Sequence, residues 1–279
     1  MRKITRIRGF LTVGACSALL LMGGCSKAPD ALTLMNTANE EMQKLNSYEA
    51  TMDLAFKVGI EDGESSLNMN LNGNVMMQKI NDPFVAYSDA TISIDSFGQK
   101  ETVQSQSYQI EQDGKIATYI NDGSGWSTSE EEGISAGTAQ DTLGLFDYDV
   151  VKNLQPKVTG SKNINGNDCW EVTFSADFDQ LMDIAGEEID DTSRSMLSAF
   201  GSDIQLNCKL YVDKDSNRYT KASVEIMGLD TFFNMLAGFS DMPENTNITV
   251  DNLVIDFVFG SFNEIENIEA PQGIPTDII

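Results

Sequence analysis

The side chains of this chain that are able to do chemistry are carboxylates and thiols. Its 279 residues hold 43 Asp and Glu, four Cys and no His. Without His there is no His-based triad, no His general base and no ordinary zinc site. Asp213, Asp215 and Asn217 have the spacing that opens a calcium loop, in which alternate residues supply oxygens. The pattern then breaks, because Arg218 stands where Gly is needed and Val224 where a bidentate Glu is needed. That stretch reads as a hairpin turn rich in Asp and Asn. Glu130–Glu132 and Glu187–Asp191 hold carboxylates enough for glycoside cleavage, but they lie in polar runs with no second motif beside them. Beyond residue 25 there is no Gly-rich phosphate cradle, no Cys-x-x-Cys pair and no Ser-x-x-Lys pair. The residues therefore point to a non-enzyme with no cofactor and no metal.

The one Cys with a chemical context of its own is Cys25. Arg2, Lys3, Arg6 and Arg8 precede an apolar run from Phe10 to Met22. A basic start, a short apolar core and small residues at its end describe an export signal. Thr12, Gly14 and Ser17 dilute the run, which falls short of the ~20 apolar residues of a spanning helix. The run ends in Leu21-Met22-Gly23-Gly24-Cys25, which resembles the lipobox of bacterial lipoproteins, with Met22 where Leu is usual. The resemblance implies that residues 1–24 are a removable leader and that Cys25 carries a diacylglyceryl thioether with palmitate-type chains. Residues 25–29 are then anchor and tether. The expected location is the outer face of the cell membrane, held by lipid.

Loss of residues 1–24 removes four of 18 basic residues and none of the 43 acidic ones, moving the net charge from −25 to −29 (14 − 43). Such a surface excludes nucleic-acid binding, which needs clustered Lys and Arg. It also repels anionic headgroups, so attachment must come from the acyl chains. It favours a soluble monomer. A hydrophobic content of 41%, with 14 Phe and 13 Met, suffices for a buried core. Cys169 and Cys208 remain beyond the anchor. Export suggests a disulfide, but the alternation sets Cys208 with Leu206 and Leu210, and Cys169 against Trp170, Val172 and Phe174. Cross-strand partners share a face, so the pair is expected to stay open.

The tether is only Ser26 to Pro29, which at ~3.5 Å per residue keeps the domain within ~15–20 Å of the lipid. Asp30 can cap a helix whose Met35, Ala38, Met42 and Leu45 recur at helical spacing. The period then becomes two. Tyr48, Ala50, Met52, Leu54, Phe56 and Val58 make one strand, and Leu67, Met69, Leu71, Val75 and Met77 a second. Further strands are expected at Phe84–Ile94, Thr102–Glu111, Lys115–Asn121, Asp168–Ala176, Ile204–Val212, Ala222–Ile226 and Ile248–Gly260, with a tail or edge strand at Phe262–Ile279. Helices are expected at Thr142–Leu154, from Asp177 through Ala185, after Thr192, and at Thr231–Phe239. The loop Asn121–Asp141 carries Trp126, either at the rim of a binding site or packed back on the sheet edge. The fold class is α+β: one large curved antiparallel sheet of about nine to eleven strands, with helices on its concave face.

The order of a long meander opening at Ser47-Tyr48-Glu49-Ala50, a helical insert after Trp170-Glu171-Val172-Thr173-Phe174, and the hairpin Leu210-Tyr211-Val212-Asp213-Lys214-Asp215 with Lys221–Ile226 resembles the LolA-like superfamily of lipoprotein and lipid carriers, in particular its Gram-positive lipoprotein branch. Phe262-Asn263, Ile268 and Pro271 close the pattern. The resemblance implies a single domain over residues 30–279. It also implies a half-barrel plugged by helices, with an apolar cavity between them. Met52, Phe56, Met69, Met77, Trp170 and Phe174 are the candidate lining, since Met adapts to varied ligands; the same residues also suit a solid core. The expected function is an anchored extracytoplasmic protein that binds a lipid or other apolar ligand. The alternative is a structural or signalling lipoprotein that binds a protein partner at the surface.

Overall fold

The computed structural model describes residues 28–63, 66–96, 98–112, 114–128, 151–185, 201–238 and 246–275. Cys25, the expected helix at Thr142–Leu154 up to residue 150, the helix after Thr192 up to residue 200, and the Trp126 loop beyond Thr128 lie outside these residues.

The first helix forms where its cap and stripe place it. Asp30 accepts from the Thr33 main-chain N–H at 2.9 Å and opens α1, Ala31–Gln43. Ala31, Leu34, Met35, Ala38 and Met42 make its single buried stripe. The chain then enters a long antiparallel meander: β1 (Ser47–Glu61), β2 (Ser66–Asn81), β3 (Phe84–Ser96), β4 (Gln99–Gln112), β5 (Lys115–Asn121) and β6 (Trp126–Thr128). A single 3-10 turn, Lys152–Leu154, leads to β7 (Lys157–Ile164) and β8 (Asn167–Asp177). Asp177 and Gln180 then cap each other reciprocally, at 2.9 and 3.0 Å, and open α2, Phe178–Ala185. The remaining elements are β9 (Gln205–Asp213), β10 (Tyr219–Met227), α3 (Leu229–Gly238), β11 (Asn247–Val250) and β12 (Leu253–Gly260).

All twelve described strands join one sheet in the order β6-β5-β4-β3-β2-β1-β12-β10-β9-β8-β7, with β11 also on β1. The sheet is open and curved, an α+β half-barrel. Its alternation divides the side chains cleanly. Through the register, Ala50, Met77, Phe259, Ala222, Leu210 and Val172 share the inner face, where α1 packs. Leu210, Val172 and Val212 are fully enclosed there. On the same face α3 covers the far end of β1, with Ala237 and Phe233 against Val58, Phe56 and Ile248. Gly228, before α3, has φ +76°, and a Cβ there would lie 1.9 Å from the Asp203 carbonyl oxygen, so the turn requires glycine.

The outer face has its own cover. Tyr108, Tyr119 and Ile80 belong to the opposite side of the meander, and the irregular tail after β12 buries them with Ile265, Ile268 and Ile274. Asn263 fixes the tail's start: its side-chain oxygen accepts from the Asn46 N–H at 2.7 Å, and its own N–H donates to the Ser47 carbonyl at 2.8 Å.

Three expectations change. The expected strand Ile248–Gly260 is two, because one extra residue near Asp251 shifts the register on β1 between Val58↔Val250 and Ala55↔Val254. Two unanticipated edge strands, β6 inside the expected loop Asn121–Asp141 and β7, bring the described sheet to twelve strands. Residues 261–275 form an irregular tail rather than an edge strand. The expectation of an open pair holds: Cys169 and Cys208 are free thiols, and the register places them on opposite faces of the sheet.

Candidate functional site

The inner face of β2–β5 is where apolar side chains remain open. Met69, Ile92, Val103 and Ile120 are 37, 39, 52 and 38% exposed, and they are the exposed large hydrophobics among the described residues. The register puts all four on one face: Met69 opposite Val58, the row Leu54–Gly73–Ile92–Val103, and the row Ala50–Met77–Ser88–Ser107–Ile120. Leu71, Val75 and Ile94 fill the same face between them. Gly73, with no side chain, leaves a notch between Leu54 and Ile92.

All six expected lining residues lie on this inner face, but helices claim three of them. Phe174 is 8% exposed and belongs to the core under α1. Trp170 packs against that core, and the Lys214 ammonium sits 4.3 Å from its ring centroid. The Phe56 ring lies 6.2 Å from that of Phe233 in α3. Met77 borders the α1 core, Met52 stands half-buried between Val75 and Phe257, and Met69 lies in the open stretch. Ile92, Val103 and Ile120 complete the open face and were not singled out from sequence. Their signal lies in the Thr91-Ile92-Ser93-Ile94 alternation, which marks a strand but not which of its residues stay open.

Trp126 faces the other way. It opens β6 opposite Asn121 and packs with the outer cluster under the tail, beside Gly273. Of the two expected placements, packing back on the sheet edge is the one its geometry fits, and the whole sheet separates it from the six inner residues.

The inner face is poor in charge. Lys79 is buried at the foot of β2, its ammonium 5.9 Å from the Tyr48 ring centroid and 5.4 Å from that of Phe84. Burial pushes the Cys208 thiol up to about 12, and burial raises the Tyr219 hydroxyl well above its usual range. Both groups stay neutral at physiological pH. No group of three or more Asp, Glu, His or Cys able to hold a metal occurs among the described residues. The turn Asp213–Asn217 spends its carboxylate on itself: Asp213 accepts from the N–H groups of Asp215 and Ser216, at 3.2 and 2.6 Å. Two clefts of about 620 and 370 Å³ are bordered chiefly by outward-facing polar side chains, such as Thr173, Lys209 and Asn207 in the larger and Asp53, Asn74 and Asp256 in the smaller.

Fold and face together define an open antiparallel half-barrel with a helix-covered half and a bare apolar half. The chain belongs to a family described as a family of unknown function (DUF6612), whose model matches residues 30–277. Among solved structures it is similar to LprF from Mycobacterium bovis, at 12% identity and TM-score 0.46, covering 89% of this chain and 99% of that one. It is also similar to the lipoprotein LppX from Mycobacterium tuberculosis (11%, TM-score 0.35, 86% and 98%) and a LolA superfamily protein from Nitrosomonas europaea (9%, TM-score 0.22, 84% and 92%). None of the curated proteins compared matches the chain.

Proposed function

We propose that this protein is an extracytoplasmic lipoprotein, anchored through Cys25, that binds a lipid or similar apolar ligand against the inner face of β2–β5. The observation that carries the reading is the segregation of exposed hydrophobics: Met69, Ile92, Val103 and Ile120 all lie on one face, the first three contiguous with Leu71, Val75 and Ile94 and Ile120 set beyond the Ser88–Ser107 pair. Scattered exposed apolar residues need no explanation, but a contiguous patch marks a binding surface. Burying acyl chains there yields ~0.8 kcal/mol per CH₂. The short tether from Cys25 to Pro29 supports the reading by holding the domain near the bilayer.

The test is to purify residues 26–279 under native conditions, compare native with denaturing mass spectra, and extract any bound lipid. The chain from Ser26 retains every described element. A stoichiometric lipid adduct, lost in Ile92→Asp/Val103→Asp, is the expected result. A clean apo mass with no uptake from vesicles removes the reading and leaves the surface to a protein partner.

A further inference from the structure

The charge pattern of the sheet bears on what kind of lipid fits. Eight lysines lie on the described strands, and the register assigns each a face. Lys57, Lys100, Lys115, Lys157, Lys162, Lys209 and Lys221 point outward. Lys79 alone of these eight points inward, and it is sealed between Tyr48 and Phe84. The inward carboxylates of the meander strands, Glu101 and Glu111, lie on β4 at the margin of the apolar rows. What the open face does offer is neutral: Ser88 and Ser107 stand opposite each other with hydroxyls 2.8 Å apart, Ser105 lies opposite Ala90, and Thr118 stands opposite Gln109.

From this partition we infer that the ligand is an uncharged lipid of the diacylglycerol type, with ester or hydroxyl oxygens rather than a phosphate or carboxylate. The inference rests on the apolar-ligand reading of the same face. An anionic headgroup brought onto this face would be desolvated with no exposed inward cation on the described strands to pair with. It would also meet a chain of net charge −29 once residues 1–24 are gone (14 − 43). A glycerol hydroxyl or an ester carbonyl finds donors and acceptors in Ser88, Ser105 and Ser107, because a hydroxyl serves as either. Its chains then lie over Ile92, Ile94, Val103 and Leu71, with the Gly73 notch in their path.

The experiment offers the chain from Ser26 three sets of phosphatidylcholine vesicles, doped with diacylglycerol, phosphatidylglycerol or oleic acid, and reads the bound lipid by native mass spectrometry. Diacylglycerol uptake is expected to exceed that of either anionic lipid at least tenfold. Ser88→Ala/Ser107→Ala is expected to cut diacylglycerol uptake severalfold, and Ser105→Lys to raise phosphatidylglycerol uptake. Equal uptake of phosphatidylglycerol or oleic acid overturns the neutral-ligand inference and leaves the apolar-ligand reading standing. Uptake of none of the three overturns both.

Discussion

The hydroxyl of Tyr219 donates to the main-chain carbonyl of Met35 across 3.2 Å, joining β10 to the middle of α1 inside the core. The two residues are 184 positions apart. A buried carbonyl in mid-helix gains a second partner there, and α1 is thereby fixed in rotation on the inner face. Tyr219→Phe keeps the ring and removes the donor. A loss of about 1 kcal/mol is expected in urea unfolding. An unchanged midpoint would mean that α1 is held by its apolar stripe alone.

The inner face divides into residues that hold the fold and residues that do not. Phe174→Ala empties space beneath α1 and is expected to cost about 3–5 kcal/mol. Ile92→Asp and Val103→Asp lie in the open and are expected to change stability by no more than about 0.5 kcal/mol. Unfolding curves for the three variants separate the packed half from the bare half. A large destabilisation by Val103→Asp would show that the bare half is core after all.

Alkaline pH is expected to loosen the core. Burial raises the Cys208 thiol from 9.0 to about 12. The unfolded chain therefore releases this proton near pH 9 while the folded chain holds it. Stability is full below pH 9 and falls as pH rises toward 12, by at most ~1.4 kcal/mol per pH unit. Tyr108, also raised by burial, adds a loss of the same sign above pH 10. In Cys208→Ala the first part of the decline should flatten, as followed by thermal melts from pH 7 to 11.

Both cysteines should remain reduced in the native protein. They lie on opposite faces, with Cys169 hydrogen-bonded to Thr220 at 3.3 Å. A thiol reagent at pH 8 should label neither until denaturant is added. A mass two units light in the untreated protein would contradict the register of β8 on β9.

The tail can be read through Trp126. In a Trp170→Phe background Trp126 is the remaining indole. Ile268→Asp should unseat the tail from Tyr108 and Tyr119 and shift Trp126 emission to the red. Unmoved emission would mean that the sheet alone shelters Trp126.

Much of this fold was legible from local rules. Asp30 and the spacing of Met35, Ala38 and Met42 gave α1, and alternation gave β1 to β5 and the β9–β10 hairpin. The edge strand β7 escaped because Lys157, Gly160 and Lys162 leave it no apolar period. Its clue was instead the turn Asn165-Gly166, at φ +51° and +95°, which is hairpin chemistry. The site was legible only as a face. Alternation puts Phe56, Trp170 and Phe174 inward as surely as Ile92 and Val103. What separates them is where α1 and α3 land, and contacts between Met35 and Tyr219 or Phe56 and Phe233 are too distant in sequence for any local pattern to carry.

The sheet also sets an order of events. β1 pairs with β12, Glu49 opposite Gly260, and the tail that shelters Tyr108 and Tyr119 comes later still. An early strand is thus completed by one made much later. Such distant pairings make folding slow, since a long loop must close before any contact rewards it. The meander β1–β6 can pair with itself, but β1 keeps an open edge and Tyr108 and Tyr119 stay uncovered until the later segments arrive. For a chain exported as proposed, that delay keeps it threadable for the whole of its passage and lets it shut only on the far side.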